Sequence, residues 1–334
     1  MAVMDIEKKD MNDNILVVKH LKKYYPISKF TLGKNKVFVK AVDDVSFNIR
    51  RGTTMGLVGE SGCGKTTIGR TILRLHEVTA GQVFFYGMDL AKIPTGKLRK
   101  LRPQMQMIFQ DPYSSLSPRL PIGEIIGEAV KEHKIVPKYQ YRQYILKVMK
   151  DCGLQPQYFY RYPHEFSGGQ RQRISIARAV ALNPRFIICD EPLSALDVSI
   201  QSQIINLMKE LQEQFGYTYL FISHDLSVVE HISDTIGVMY LGSMVETGDK
   251  KLVFSKPLHP YTKALLSAVP VSDPDIRMNR IILTGDIPSP VNPPSGCKFR
   301  TRCQSCMKIC SERVPVLKEY EKGHMVACHL YEQD

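Results

Sequence analysis

Short apolar runs of strand length recur along the chain, and stretches with helical spacing lie between them. Ile15 to Val18, Val45 to Ile49, Met55 to Val58, Val83 to Tyr86 and Met105 to Phe109 read as strands. From 117 to about 182 the pattern turns helical. Gly123 to His133 and Tyr141 to Cys152 are amphipathic, and a third helix opens at Phe166. Strands return at Phe186 to Cys189, Thr218 to Ile222 and Thr235 to Met239, with a helix near Val198 to Phe215. The alternation predicts an α/β fold, a sheet covered by helices, with a helical insert. After Gly248 prolines accumulate (257, 260, 270, 274, 288, 290, 293 and 294) and long periodic helices disappear, which predicts a second, smaller domain. The expected organisation is a flexible N-terminus over 1–13, a main domain over 14–250 with its helical part at about 117–182, and a C-terminal domain over 251–334.

Two separated signatures give this alternation a chemistry. Gly59 to Thr67 reads GESGCGKTT and follows the apolar run Met55 to Val58. Glycines at these places let successive backbone N–H groups turn toward a phosphate chain, and the next helix adds its positive N-terminal end. Gly59, Ser61, Gly62 and Gly64 with Lys65, Thr66 and Thr67 form the candidate cradle. Lys65 would reach the β- and γ-phosphates, and Thr66 would offer its hydroxyl to Mg²⁺. ATP or GTP binding follows. The run FIIC delivers Asp190 and Glu191 to a strand's carboxyl end, where ligands of open α/β sheets collect. Adjacent carboxylates there can divide the work, Asp190 toward Mg²⁺ through its water shell and Glu191 as general base for the attacking water. His224, after the apolar run YLFIS, is placed to contact the γ-phosphate.

Six motifs stand in order: GESGCGKTT, Gln110 in IFQDP, FSGGQRQR, IICDEP, SALD and ISHD. On these the chain resembles the ATP-binding cassette of ABC transporters from about Leu16 to Gly248. The resemblance implies a P-loop NTPase cassette with a mixed-sheet core, an antiparallel β subdomain and a helical subdomain. It implies that Gln110 senses the γ-phosphate and Mg²⁺ and connects to a membrane partner. Ser167, Gly168, Gly169 and Gln170 would close over ATP from the opposite subunit, and Asp197 matches the D-loop. Tyr25 is the choice for the aromatic that stacks on adenine, with Tyr24 competing. The signature begins with Phe166 where Leu is more usual, a departure at an apolar position. The proline- and serine-rich segment QDPYSSLSPRLP should be an exposed connection; the resemblance places it against transmembrane subunits. A P-loop and an FSGGQ element cannot readily enclose one nucleotide within a single lobe, so a two-fold pair with each P-loop facing the partner's signature is expected.

The tail adds cysteines. Cys297, Cys303, Cys306, Cys310 and Cys328 are five of the eight in the chain, and a cytosolic setting favours metal over lasting disulfides. The spacing C-x5-C-x6-C-x17-C fits neither the zinc ribbon nor the compact ferredoxin run, so spacing leaves the metal open. The segments HPYTKALLSAVP, PSGCKF, TRCQSCMKIC and VACHL resemble the C-terminal extension of oligopeptide and dipeptide importer ATPases of the OppF/DppF type. That resemblance implies a [4Fe–4S] cluster on Cys297, Cys303, Cys310 and Cys328, with Zn²⁺ as the alternative and Cys306 as a spare thiol. Cys63, Cys152 and Cys189 read as small packing residues, with Cys63 open to oxidation.

At 334 residues and 43% hydrophobic content the chain can bury a large core. No apolar stretch approaches the roughly 18 to 20 residues that cross a bilayer, and MAVMDIEKKD lacks the apolar centre of a signal peptide. A cytosolic protein at the inner membrane face is expected. The formal charge of +12 is densest at Lys92, Lys97, Arg99, Lys100 and Arg102, where no aromatics are interleaved to stack on bases, so nucleic acid is not an expected partner. The resemblance implies a companion ATPase of the OppD/DppD type as heterodimer, two transmembrane permease subunits and an extracellular or periplasmic peptide-binding protein. Another small solute such as nickel or glutathione would use the same machinery. A soluble non-transport ATPase would carry two cassettes, and this chain has one P-loop and one FSGGQ.

Overall fold

The computed structural model describes residues 13–27, 37–269 and 280–332. Residues 1–12 of the expected flexible N-terminus, and Pro270 and Pro274, lie outside them. Twelve strands are found among the described residues: β1 (Asn14–Pro26), β2 (Phe38–Arg50), β3 (Thr54–Val58), β4 (Ala80–Phe85), β5 (Met88–Asp89), β6 (Met105–Ile108), β7 (Phe186–Asp190), β8 (Thr218–Ile222), β9 (Thr235–Tyr240), β10 (Ser243–Asp249), β11 (Lys318–Glu321) and β12 (His324–Val326). They belong to two compact units.

One unit comprises Ile49–Thr53 and Lys92–Ile222 with the described residues up to Ile15. Its strands run parallel in the order β8-β7-β6, with Ile108 opposite Cys189 and Asp190 opposite Ile222. All five residues of β7 and all five of β8 are buried, which is why both read as unbroken apolar runs. Helix Val198–Phe215 covers its part of the sheet with Ile204, Ile205, Leu207, Met208 and Leu211. Each such burial stabilises by about 2 kcal/mol. Gly216, at φ 69°, ends the helix in the left-handed region that glycine enters without strain. The insert holds helices Ile122–Glu132, Tyr141–Asp151 and Gly168–Val180, within a residue or two of the expected ranges.

The other unit comprises Leu16–Asn48, Thr54–Ala91 and the chain from Ser223 onward. Its strands lie in the order β11-β12-β10-β9-β3. Here β3 is parallel to β9, while β10 runs antiparallel to both β9 and β12, so the sheet is mixed. A second sheet, β2-β1-β4-β5, pairs Leu16 with Phe85 and Val18 with Val83 antiparallel. β1 and β2 run 13 residues each, longer than their apolar centres, because half-buried polar positions continue the ladders. Beyond Gly248 the helices are short, Lys250–Ser255 and Pro260–Ser267. The hairpin β11-β12 adds to β10, setting Val326 opposite Glu246. The C-terminal segment thus shares a sheet with the strand that leads into GESGCGKTT.

Candidate active site

Strand β3 is wholly buried and ends at Val58, so it delivers the glycine-rich loop at a fixed place. Gly59, Gly62 and Gly64 have φ of 148°, 78° and 105°. A Cβ on Gly64 would stand 2.1 Å from the Ala41 carbonyl oxygen, and one on Gly59 2.3 Å from that of Met239. No side chain fits at either position. Ser61 and Gly62 are exposed at the tip, whereas Lys65 is only 4% exposed. The Lys65 ammonium donates to the carbonyls of Gly59 at 2.8 Å and Glu60 at 3.0 Å. It opens helix Lys65–Ile72, the N-terminus of which begins at Gly64. A buried cation inside a loop with glycine freedom, at a helix N-terminus, suits an anionic phosphate chain.

The two candidate adenine platforms differ in their ties. The Tyr24 hydroxyl donates to Asp43, with Lys40 Nζ 5.9 Å from its ring. Tyr25 hydrogen-bonds Thr67; burial raises its phenol above the ordinary value against that bond and the Arg70 charge. Its ring meets His76 edge-on at 5.8 Å, and Lys23 Nζ stands 4.7 Å from it. Tyr25 is therefore the one that touches the P-loop helix. His224 is exposed between β8 and the cap of helix Leu226–Ile232, where Asp225 accepts the amides of Ser227 and Val228.

In the first unit, Asp190 is 0% exposed at the carboxyl end of β7. Glu191 follows with φ 46°, a left-handed conformation uncommon for a side chain of this size. Its amide is fixed on the Ile222 carbonyl at 3.0 Å. The Gln110 side chain donates to Glu191 Oε2 at 3.0 Å, so these two expected site residues are brought together. Ser167 caps helix Gly168–Val180: its hydroxyl accepts the Gln170 amide at 3.4 Å, and the Gln170 side chain accepts the Ser167 amide at 3.2 Å. Gly168 is exposed above this cap, and a Cβ on Gly169 would come 2.5 Å from Ile200 Cγ2. Phe166 is 4% exposed, edge-on to Tyr158 at 5.3 Å, so the departure from Leu is absorbed in the core. Asp197 occupies the N-cap of Val198–Phe215 without capping it, and is exposed. The segment after Gln110 is mostly exposed, as expected, but not irregular throughout. It forms the short helix Pro112–Ser115, capped by Asp111 and tied by Arg178 to the Ser115 carbonyl.

Oxygen donors of the Thr66 and Asp190 type suit Mg²⁺. The expected cysteine cluster fares differently: among the described residues no set of three or more His, Cys, Asp or Glu is arranged to hold a metal ion. Cys310 is buried, Cys297, Cys303 and Cys328 are half-buried and Cys306 is exposed. Burial pushes the Cys297 and Cys328 thiols up to about 11, and neighbouring cysteines add to the rise. The expected ligands therefore lie near one another without ligand geometry among the described residues. Cys63 is also corrected: at 5% exposure burial raises its thiol, which disfavours the reactive thiolate. Cys152 and Cys189 are fully buried packing residues, as expected.

One loop residue outside the expected set is held on three sides. Glu60 donates its amide to the Tyr261 hydroxyl at 2.9 Å, accepts Lys65 on its carbonyl, and meets Arg302 through both carboxylate oxygens at 2.9 and 3.1 Å. No local pattern signals that pairing, because Arg302 lies 242 positions away.

Two family profiles match the chain: ABC transporter over residues 42–194, and oligopeptide/dipeptide transporter, C-terminal region, over residues 245–310. The oligopeptide transport ATP-binding protein AppF of Bacillus subtilis is 53% identical over 96% of this chain and 98% of its own. The dipeptide transport ATP-binding protein DppF of Escherichia coli is 47% identical over 99% of this chain and 98% of its own. Among solved structures, cbiO1 from Clostridium perfringens, part of an ABC transporter complex, aligns with TM-score 0.63 at 27% identity over 73% of this chain and 92% of its own. The dimeric ATP-binding cassette MJ0796, bound to ADP and phosphate, aligns with TM-score 0.61 at 27% identity over 70% of this chain and 98% of its own.

Proposed function

The chain belongs to the ATP-binding subunits of oligopeptide and dipeptide ABC transporters, and from that premise we propose that it energises peptide import by closing on ATP against a partner cassette and opening after hydrolysis. The observation that carries the reading is the Lys65 ammonium buried within a loop that only glycines can form, leading straight into a helix.

Each residue has a task in this reading. The loop amides of Gly59 to Gly64, with Lys65, grip the phosphates, and Thr67 shares the helix start. Tyr25 stacks on adenine. Thr66, Asp190 and Gln110 would hold Mg²⁺, which when bound would neutralise charge developing on the phosphate oxygens. Glu191 accepts the proton of the attacking water, and Gln110, already bonded to it, holds the carboxylate in position. His224 contacts the γ-phosphate. Ser167 to Gln170 present a capped helix N-terminus and exposed glycine to the nucleotide held by the partner, with Asp197 beside that seam. The dimeric state of MJ0796 with ADP and phosphate supports such a sandwich.

The partners follow from the family: a companion ATPase of the OppD/DppD type, two transmembrane permeases and an external peptide-binding protein. No helix among the described residues is long and apolar enough to cross a membrane. The family role would place the chain against the permeases at the cytoplasmic face. The domain reading also stands as a proposal, a cassette over 14–250 and an extension over 251–334.

Glu191→Gln should retain Mg-ATP binding while hydrolysis by the assembled transporter falls roughly 100- to 10,000-fold. Hydrolysis at the parent rate under saturating Mg-ATP would mean that another group is the base. A finer part of the reading concerns the tail. The closeness of Cys297 to Cys303 and Cys310, and of Cys328 to all three, supports the proposal of an iron–sulfur cluster there, with zinc as the alternative. Anaerobic purification followed by iron, sulfide and zinc analysis should find metal; a folded, metal-free chain would overturn it.

A further inference from the structure

We propose that the C-terminal segment sets the shape of the P-loop through Glu60, with Arg302 and Tyr261 as positioning residues for nucleotide binding. The inference rests on the nucleotide reading above and adds the part of the chain that holds the loop ready.

Glu60 carries one of the two carbonyls that hold the Lys65 ammonium. Its remaining polar groups are engaged from the C-terminal side. Arg302 makes three hydrogen bonds to the carboxylate, Nη1 to Oε1 at 3.1 Å and to Oε2 at 2.9 Å, and Nη2 to Oε1 at 3.1 Å. This two-oxygen pairing fixes direction as well as charge, and the Arg302 side chain is only 8% exposed, so water screens it little. The amide goes to Tyr261, which is 0% exposed in helix Pro260–Ser267.

The two anchors are themselves held. Tyr261, Tyr240 and Phe299 pack as an aromatic cluster with centroids 4.8 to 5.4 Å apart, and Arg302 lies over the Tyr240 ring at 5.9 Å. Lys298, in the same segment, donates to Asp43, to the Leu241 carbonyl and to Ser243. Glu60 therefore cannot peel away without breaking a partly buried ion pair and leaving Arg302 uncompensated. A loop ordered before the nucleotide arrives spares binding that ordering cost. Arg302 directly precedes Cys303, so the chain that braces the loop is also the chain that carries the cysteines.

The test is equilibrium binding of Mg-ATP to the full-length chain, with KM and kcat for hydrolysis measured in the assembled transporter. Arg302→Ala and Glu60→Gln should each weaken Mg-ATP binding by about tenfold and raise KM with little change in kcat. The double variant should be no worse than either single one, and Arg302→Lys should restore part of the loss. Glu60→Gln leaves the side chains of the C-terminal segment in place, so it reports even if Arg302→Ala folds poorly. Parent-like binding by Glu60→Gln and Arg302→Lys, beside a Lys65→Ala control that has lost binding, would overturn this inference alone. Absence of Mg-ATP binding by the parent chain would overturn the nucleotide reading and this inference with it.

Discussion

Glu191 shows how much one residue is made to hold. Its left-handed backbone costs on the order of 1–3 kcal/mol and is kept by the amide bond to Ile222 and the side-chain bond from Gln110. Strain of this kind persists where surrounding contacts over-determine it, which would suit the general base proposed for Glu191. Tyr24 and Tyr25 make a second residue-scale case. Tyr25→Ala should weaken nucleotide binding by about 1–3 kcal/mol, the size of a lost aromatic–base stack. Tyr24→Ala should change it little, since its hydroxyl is committed to Asp43; titration with a fluorescent ATP analogue separates them, and the reverse order would reassign the platform. The strand ends that carry the motifs of Lys65, Asp190 and Glu191 were legible because the apolar runs before them are contiguous. The contact of Tyr25 with Thr67 was not legible, and neither was the Arg302 to Glu60 pair, because nothing local marks these partners.

At the scale of elements, legibility followed burial. Strands β7 and β8 and helix Val198–Phe215 could be read because their buried positions follow the period of the element. The hairpin β11-β12 could not: Lys318 to Glu321 is polar and mostly exposed, so no alternation announces it. A buried pair adds to its ladder with β10. His324 Nε2 meets Glu246 Oε1 at 2.7 Å with both side chains at 0% exposure, while the Glu246 carboxylate also accepts the amides of Leu258 and His259. Burial alone would lower the His324 pKa, but the hydrogen bond and charge of Glu246 raise it above 6.5. Burial alone would raise the Glu246 pKa, but hydrogen bonds from His324, Thr262 and the two amides lower it below 4.5. The histidine contribution is full below its unfolded pKa and fades as pH rises through the folded value. The glutamate contribution is full above its unfolded pKa and fades as pH falls through the folded value. The pair should therefore stabilise most between about pH 4.5 and 6.5. His324→Gln should lose about 2 kcal/mol in that window and less on either side, read as the difference between parent and variant urea midpoints. His259, which burial pushes down to about 4, is common to both proteins and cancels. A loss independent of pH would show that the pair is not ionised.

For the whole molecule, the P-loop and the C-terminal segment belong to one compact unit, and the signature helix with the Asp190-Glu191 strand belongs to the other. In the proposed machinery each unit would supply its own part, and each signature would serve the nucleotide of the neighbouring subunit. Release of the γ-phosphate would remove the contacts that favour closure, and the permeases would feel the change as motion. Crosslinking between a residue introduced at Ser61 and the signature serine of the companion ATPase, in the assembled transporter, tests this most directly. The yield should rise with Mg-ATP, fall as the parent protein hydrolyses it, and stay high in Glu191→Gln. A yield that ignores Mg-ATP in both proteins would contradict the sandwich.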